Sequence, residues 1–286
     1  MDLLPAGALH PPAAPGHRRG VRVTLALLQQ ELVRLGPSIL AVGLCAVRLL
    51  PVAFLCPLLG GQAAPTPVKL GVVLSLALFL HLAAGIEAPA EAASTWGLVG
   101  CALKELTYGT SVGLVAALPF DAARVGGRFI DLFRGSSAEA GLPVVGSRES
   151  ATGDALYQLL VGLAVTGAVL PRILSGLLGG FATVRLGAAV ASEAAAMQVV
   201  ALAGTALATG LAVGAPIAAA ALAVDCFIGL ASRAAPQLSL QGVGTPLRIL
   251  GGGALLWVSV GLLSERLLAG AGQVDGMLQA LAELSR

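Results

Sequence analysis

Residues 118–135 read LPFDAARVGGRFIDLFRG and place five charges directly after a long apolar run. At about 100° of rotation per residue, a helix over 120–134 has two distinct faces. The charged face holds Asp121, Arg124, Arg128, Asp131 and Arg134, and the apolar face holds Ala122, Val125, Phe129, Ile130, Leu132 and Phe133. The pattern predicts a two-sided helix here and argues against a plain membrane span.

The ends of this predicted helix carry residues that helix ends favour. Pro119 precedes the helix, where its missing backbone N–H costs nothing. Asp121 lies in the first turn and Arg134 in the last, which are the charges that the helix dipole stabilises. We therefore expect the helix to begin after Pro119 and to end at Arg134-Gly135.

Local spacing predicts contacts for both kinds of residue in this segment. Two oppositely charged pairs stand three residues apart and can interact, Asp121–Arg124 and Arg128–Asp131. Gly126 and Gly127 permit close packing or a bend. The residues alone leave two interpretations of the charged face: it lies on the membrane surface, or it lines a wet space inside an assembly.

The composition of the whole chain indicates a membrane environment. The 286 residues are 57% hydrophobic and 11% charged, and the mean hydropathy is +0.90. An ordinary soluble domain carries about 25% charged residues. Most of this protein's surface is therefore expected to face lipid or other apolar subunits.

Six apolar runs reach the length of about 20 residues that a bilayer requires. Arg48, Glu105 and Arg172 lie inside such runs, and a charge at the centre of a lipid-exposed helix costs at least ~2.5–3.5 kcal/mol. The runs are therefore expected to pack inside a larger assembly. They cover 38–59, 68–86, 96–119, 155–181, 197–224 and 243–263.

These patterns predict an all-α protein of membrane-type helical hairpins, kinked and interrupted by Pro and Gly. Residues 1–20 contain several prolines and no sustained apolar core, and are predicted to be a disordered lead-in. Residues 21–265 are predicted to form a single helical membrane unit. Residues 266–286 are predicted to be an amphipathic C-terminal helix or tail.

Several classes of function lack support in the sequence. The sequence has no basic patch interleaved with aromatic residues, which is the pattern typical of nucleic-acid binding. No HExxH or CxxC motif is present, so we expect no catalysis, metal or cofactor, and we expect the four cysteines to be buried thiols. A small-molecule or ion transporter remains the alternative, with a relay built from Arg48, Lys104, Glu105, Arg172 and Asp225, although no inverted repeat supports it.

Three stretches, in order, resemble the FliR/SctT family, an inner-membrane component of the bacterial type III secretion export gate. They are RLLPVAFLCPLLGGQAAPTPVKLGVVLSLAL (48–78), LPFDAARVGGRFIDLFRG (118–135) with ESATGDALYQLL (149–160), and DCFIGLASRAAPQLSLQGVGTPLR (225–248). The third is the most specific, through Asp225, Gly229, Arg233, Ala235, Pro236, Gln237 and Pro246. The Ile130-Asp131 and Arg134-Gly135 pairs look more like the injectisome branch, SctT, than the flagellar branch, FliR.

The resemblance implies a non-catalytic subunit in the conduit for unfolded protein substrates. Its expected partners are SctR-like and SctS-like subunits, with SctU-like and SctV-like subunits as further candidates, together with the exported substrates and membrane lipid. Its expected location is the bacterial inner membrane, as a multi-pass protein within the type III secretion basal body.

The resemblance also implies roles for individual residues. Expected gate-lining residues are Pro119, Phe120, Arg124, Gly127, Arg128, Asp131, Arg134 and Gly135. Expected assembly residues are Arg48, Lys69, Lys104, Glu105, Asp225, Arg233, Pro236 and Gln237. For Asp225 two roles stay open, an intersubunit salt bridge and proton coupling.

Overall fold

The computed structural model describes residues 15–61, 64–134, 139–140, 149–234 and 241–286. In these ranges the chain forms eight α-helices, which confirms the all-α prediction. The helices are α1 Pro15–Leu55, α2 Thr66–Ala84, α3 Thr95–Arg134, α4 Ala151–Thr166, α5 Val169–Thr183, α6 Glu193–Ala234, α7 Gln241–Ala271 and α8 Val274–Leu284. Short 3₁₀ helices cover Pro57–Leu59 and Ala90–Ala93, and β1 (Glu139–Ala140) pairs antiparallel with β2 (Glu149–Ser150).

Within the described ranges, four helical segments are long and apolar enough to cross a membrane. A fifth span is possible if α4 and α5, which are bent by 77° relative to each other, count as one broken span. The helix α3 is not among the four, although the run 96–119 was predicted as a span. Its interior carries Lys104 and Glu105, which lower its hydropathy. The four segments are Arg34–Leu55, Thr66–Ala84, Glu193–Ala234 and Ile249–Leu284.

The fold is organised around α3, which packs against α1, α4 and α6. Glycines allow these close approaches. A Cβ atom placed at Gly126 would lie 2.8 Å from the carbonyl oxygen of Gly210, and one at Gly113 would lie 3.0 Å from Cα of Val52. Gly210 and Gly214 of α6, at four-residue spacing, meet the backbone of Ala122 and Gly126 in turn. Small residues thus bring helix backbones together, as they do in membrane bundles.

The predicted division of the chain stays a prediction. Residues 1–14 of the expected lead-in lie outside the described residues, and α1 begins at Pro15. At the other end, α8 buries Val274, Leu278 and Leu281 in the core and packs against α5. The cysteine prediction was wrong at one position, because Cys226 is exposed while Cys45, Cys56 and Cys101 are buried.

Candidate functional site

The segment 120–134 is the second half of α3 and does not form a helix of its own. Pro119 lies inside this 40-residue helix, so the predicted helix start was wrong. Neighbouring helices enclose α3 here, and such packing lets a membrane-type helix tolerate an internal proline. Phe120 is fully buried, and its ring meets that of Tyr157 on α4 edge to face, with 6.3 Å between centroids.

Arg124 connects α3 to α4 through charge and ring contacts. Its Nη1 lies 3.9 Å from Oδ1 of Asp121, which confirms that predicted pair, and its Nε lies 3.8 Å from Oδ1 of Asp154. The guanidinium also stacks over the ring of Tyr157, 3.8 Å from the centroid. A cation over an aromatic face contributes about 0.5–2 kcal/mol, depending on desolvation. Arg124 therefore fixes the spacing of the two helices.

Asp131 binds the start of α4 to the end of α3. Its carboxylate accepts hydrogen bonds from the hydroxyl of Ser150 (2.8 Å), the backbone N–H of Thr152 (3.0 Å) and the hydroxyl of Thr152 (2.5 Å). Ser150 also caps α4, because its hydroxyl accepts the N–H of Gly153 at 2.9 Å. We call the group Asp131, Ser150 and Thr152 the α3–α4 corner.

Arg134 extends from this corner to α7. Its Nη1 lies 3.6 Å from Oδ1 of Asp131 and donates to the hydroxyl of Thr152 at 3.4 Å. Its Nη2 donates to the backbone carbonyl of Ile249 at 3.1 Å. The side chain covers Gly252 of α7, where a Cβ atom would lie 2.7 Å from Cγ of Arg134.

The predicted two-sided pattern fails near the end of α3. Asp131, expected on the wet face, is 4% exposed, and Leu132, expected on the apolar face, is 74% exposed. The reason is that α4 and α6 cover two sides of this half of α3, so position relative to those helices decides burial. Asp121, Arg128 and Leu132 are exposed, and they lie within about 40° of one another around the helix. We call these three residues the exposed stripe of α3.

The structure brings only part of the expected gate set to the surface. Phe120, Gly127 and Asp131 pack between helices, whereas Arg128 lies on the exposed stripe. Pro119, Arg124 and Arg134 are half-buried, and Gly135 lies outside the described residues. Sequence reasoning missed Thr152, Asp154 and Tyr157. Ser150 offered a signal, since a serine before an apolar run is a common helix N-cap.

A second polar cluster joins α1, α3 and the segment after α5. The carboxylate of Glu105 accepts hydrogen bonds from Nε and Nη2 of Arg48, the latter at 3.0 Å, and from the N–H of Gly187 at 2.7 Å. Nη1 of Arg48 donates to the carbonyl of Val184 at 2.9 Å. Arg48 and Glu105 are 2% and 0% exposed. They were expected at contacts between subunits, but the structure pairs their charges inside the chain.

Aromatic rings complete this cluster. The guanidinium of Arg48 lies between Tyr108 and Phe181, 4.8 Å and 4.5 Å from their ring centroids. Burial raises the pKa of the Tyr108 hydroxyl, so this group stays protonated at physiological pH. Lys104 donates from Nζ to the carbonyl of Gly187 at 3.2 Å, which adds a further contact to the same segment.

The remaining assembly candidates are dispersed. Lys69 is buried on α2, with its ammonium 4.6 Å from the ring centroid of Phe54. Asp225 is half-buried and Arg233 is exposed, both near the end of α6. Pro236 and Gln237 lie outside the described residues. Within the described ranges, no group of three His, Cys, Asp or Glu side chains could hold a metal ion.

Replacing Asp131 with asparagine is expected to destabilise the protein by about 1–3 kcal/mol, the cost of leaving buried hydrogen-bond groups unsatisfied. All three groups that bind the carboxylate are donors, and one of its oxygens would become an NH₂ donor. Thermal unfolding in detergent measures the change. Asp121→Asn is the control, because that side chain is 53% exposed and should shift stability by less than ~0.5 kcal/mol. Equal effects of the two substitutions would contradict the assigned role of Asp131.

These features define a polytopic helical membrane protein whose polar side chains brace its own helices. Residues 39–273 match the family described as bacterial export proteins, family 1, and the chain belongs to that family. It is also 25% identical over 206 residues to the flagellar biosynthetic protein FliR of Bacillus subtilis (strain 168), across 68% of this chain and 75% of that protein. The resemblance to the FliR/SctT family is thereby confirmed, and the preference for the injectisome branch stays a prediction.

Proposed function

We propose that this chain is a non-catalytic subunit of the type III secretion export gate and forms part of the conduit for unfolded proteins across the bacterial inner membrane. Family membership supports a role in export. The observation that carries the proposal is the length of apolar surface on α6, which exceeds what lipid can cover.

Exposed apolar side chains line α6 from Met197 to Leu230, which are 64% and 66% exposed. At 1.5 Å per residue this stretch is about 50 Å long, against a hydrocarbon core of about 30 Å. Even a tilt of about 40° leaves about 38 Å to be covered. The surface fits contact with other subunits better than contact with lipid alone.

The expected partners are SctR-like and SctS-like subunits, with SctU-like and SctV-like subunits in wider contact. Within the proposal, the exposed stripe of α3 faces the conduit, because it is the side of residues 120–134 that α4 and α6 leave open. Arg128 is the expected gate-lining residue on this stripe. Asp225 and Arg233 on α6 are the expected assembly residues.

The transporter alternative loses support at two of its five relay residues. Arg48 and Glu105 bind each other and the backbone of 184–187, with almost no exposed surface. Groups bound in this way brace a fold and are poorly placed to pass an ion across it.

Deletion of the gene, followed by complementation, tests the proposal. We expect loss of type III secretion in the deletion strain and recovery with the full chain. We also expect the tagged chain to copurify from detergent with SctR-like and SctS-like subunits, as measured by native mass spectrometry. Loss of effector secretion with intact motility would support the injectisome branch, and loss of flagella would support the flagellar one. A lone monomer together with normal secretion and motility in the deletion strain would overturn the proposal.

A further inference from the structure

Two polar layers meet where α3 ends, and they differ in strength. The α3–α4 corner is the tight layer, with three hydrogen bonds of 2.5–3.0 Å on the Asp131 carboxylate. The contacts of Arg134 with α7 and the corner form the loose layer, at 3.1, 3.4 and 3.6 Å. One of these three Arg134 contacts reaches α7, the hydrogen bond to Ile249, whereas three hydrogen bonds hold the corner, so the link to α7 is the easier one to break.

Arg134 is also incompletely satisfied in this arrangement. Within the described residues its Nε is buried and has no hydrogen-bond acceptor. A buried donor without an acceptor is destabilising, and a charged one more so. This cost offsets part of the stabilisation from the other Arg134 contacts. Releasing the side chain therefore requires less free energy than those contacts alone would indicate.

The surface of α7 is shaped to receive this side chain. Gly252 is buried beneath Arg134, and a Cβ atom there would lie 2.7–3.0 Å from Cγ, Cδ and Nε of the arginine. A Cβ atom at Gly253 would lie 3.2 Å from Nη2 of Arg134, whereas one at Gly251 would meet no atom within 4 Å. Next to this contact α7 is poorly covered, because Leu250 is 72% exposed. The guanidinium therefore attaches this part of α7 to α3.

We propose that Arg134, the Ile249 carbonyl and Gly252 form a releasable clamp. The clamp holds α7 against the α3–α4 corner in the resting state, and export requires its release. Arg134 is thus a positioning residue for α7. The inference rests on the proposed function, since it concerns the conformational change that accompanies export.

A disulfide tests whether the clamp must open. The Gly252 Cβ position lies 2.7 Å from Cγ of Arg134, so the two Cβ atoms are within about 4.2 Å, which suits a disulfide. The variant is Arg134→Cys with Gly252→Cys in a Cys226→Ser background, which removes the exposed native thiol. Oxidation in membranes is expected to form the bond and to lower secretion at least tenfold, and a reductant is expected to restore secretion. Each single cysteine variant is the control, and oxidation should leave its secretion at the level that the same variant shows when reduced.

Substitutions at two neighbouring glycines test whether weakening the clamp opens the conduit at rest. Gly252→Ala places a methyl group where the Arg134 side chain lies, whereas Gly251→Ala places one in open space. We expect Gly252→Ala to increase leakage of a small dye across resting membranes several-fold and Gly251→Ala to leave it unchanged. Arg134→Ala should leak as Gly252→Ala does, and combining the two should add little.

Three outcomes would overturn the clamp: no disulfide forms in the assembled complex, the oxidised pair secretes as well as the reduced one, or Gly251→Ala and Gly252→Ala leak equally. Copurification with the partner subunits separates this failure from failure of the proposed function. A variant that assembles normally but shows one of these outcomes counts against the clamp alone. A chain that never assembles with export subunits counts against the conduit.

Discussion

Glu105→Ala is expected to destabilise the protein by about 3–5 kcal/mol, because it leaves the buried Arg48 guanidinium without its countercharge. The same change removes the acceptor for the Gly187 N–H, so the segment after α5 also loses its attachment to α3. Arg48→Ala should cost a similar amount, since it leaves the carboxylate buried and also removes the contact with Val184. Thermal unfolding in detergent, together with the yield of folded protein from membranes, measures both effects.

The matched control for this prediction is Arg34→Ala. Arg34 is on the same helix as Arg48 but is exposed, so its loss should change stability by less than ~0.5 kcal/mol. The Arg48→Ala/Glu105→Ala double variant should lose clearly less than the sum of the single variants, because both remove one interaction. Additive losses would show that the two side chains stabilise the fold independently and would contradict a buried pair.

Gly127→Ala is expected to have the second large effect, a loss of about 3 kcal/mol, at the upper end of what overpacking usually costs. The added Cβ would collide with the backbone of Gly153 and would lie 2.6 Å from the carbonyl carbon of Thr152. Backbone atoms cannot rotate away, so α3 and α4 must separate. That separation would also stretch the bonds from Asp131 to Ser150 and Thr152. Loss of thermal stability and of copurifying partners is the expected result.

Gly162→Ala provides the control on α4. A Cβ at Gly162 meets nothing within 4 Å, and replacing a helical glycine by alanine contributes about 0.8–1 kcal/mol of helix propensity. This variant should therefore be slightly more stable than the parent. If Gly127→Ala were tolerated equally well, the close approach of α3 and α4 would be wrong.

Most of the helical architecture could be predicted because apolar periodicity and length are local properties. The runs at 68–86 and 197–224 correspond to α2 and α6. The run at 155–181 proved harder, since α4 ends at Thr166 and α5 starts at Val169 with a sharp bend. Pro171 is a local signal for a kink in this run, but it does not place the break between Thr166 and Val169. Pro119 led to the opposite error. A proline often marks the start of a helix, but this one lies inside α3.

The polar contacts were harder to predict because they join distant parts of the chain. Arg48 and Glu105 are 57 residues apart. The sequence showed two charges inside apolar runs, but their spacing did not show that they form an ion pair. Periodicity assigned Asp131 to a wet face. Periodicity describes one helix alone, so it could not show that α4 begins directly against Asp131. By contrast the Asp121–Arg124 pair lies within one helix turn, and local spacing predicted it correctly.

If partner subunits cover α6, as proposed, its apolar length ties the abundance of this protein to that of its partners. A copy made without them would leave about 20 Å of apolar helix outside the hydrocarbon core if α6 is untilted, and about 8 Å at a tilt of about 40°. Exposed surface of this kind promotes aggregation and clearance by proteases. Cells therefore have a reason to synthesise the subunit in step with the proteins that cover α6, and its lifetime in the membrane would report how completely they do so.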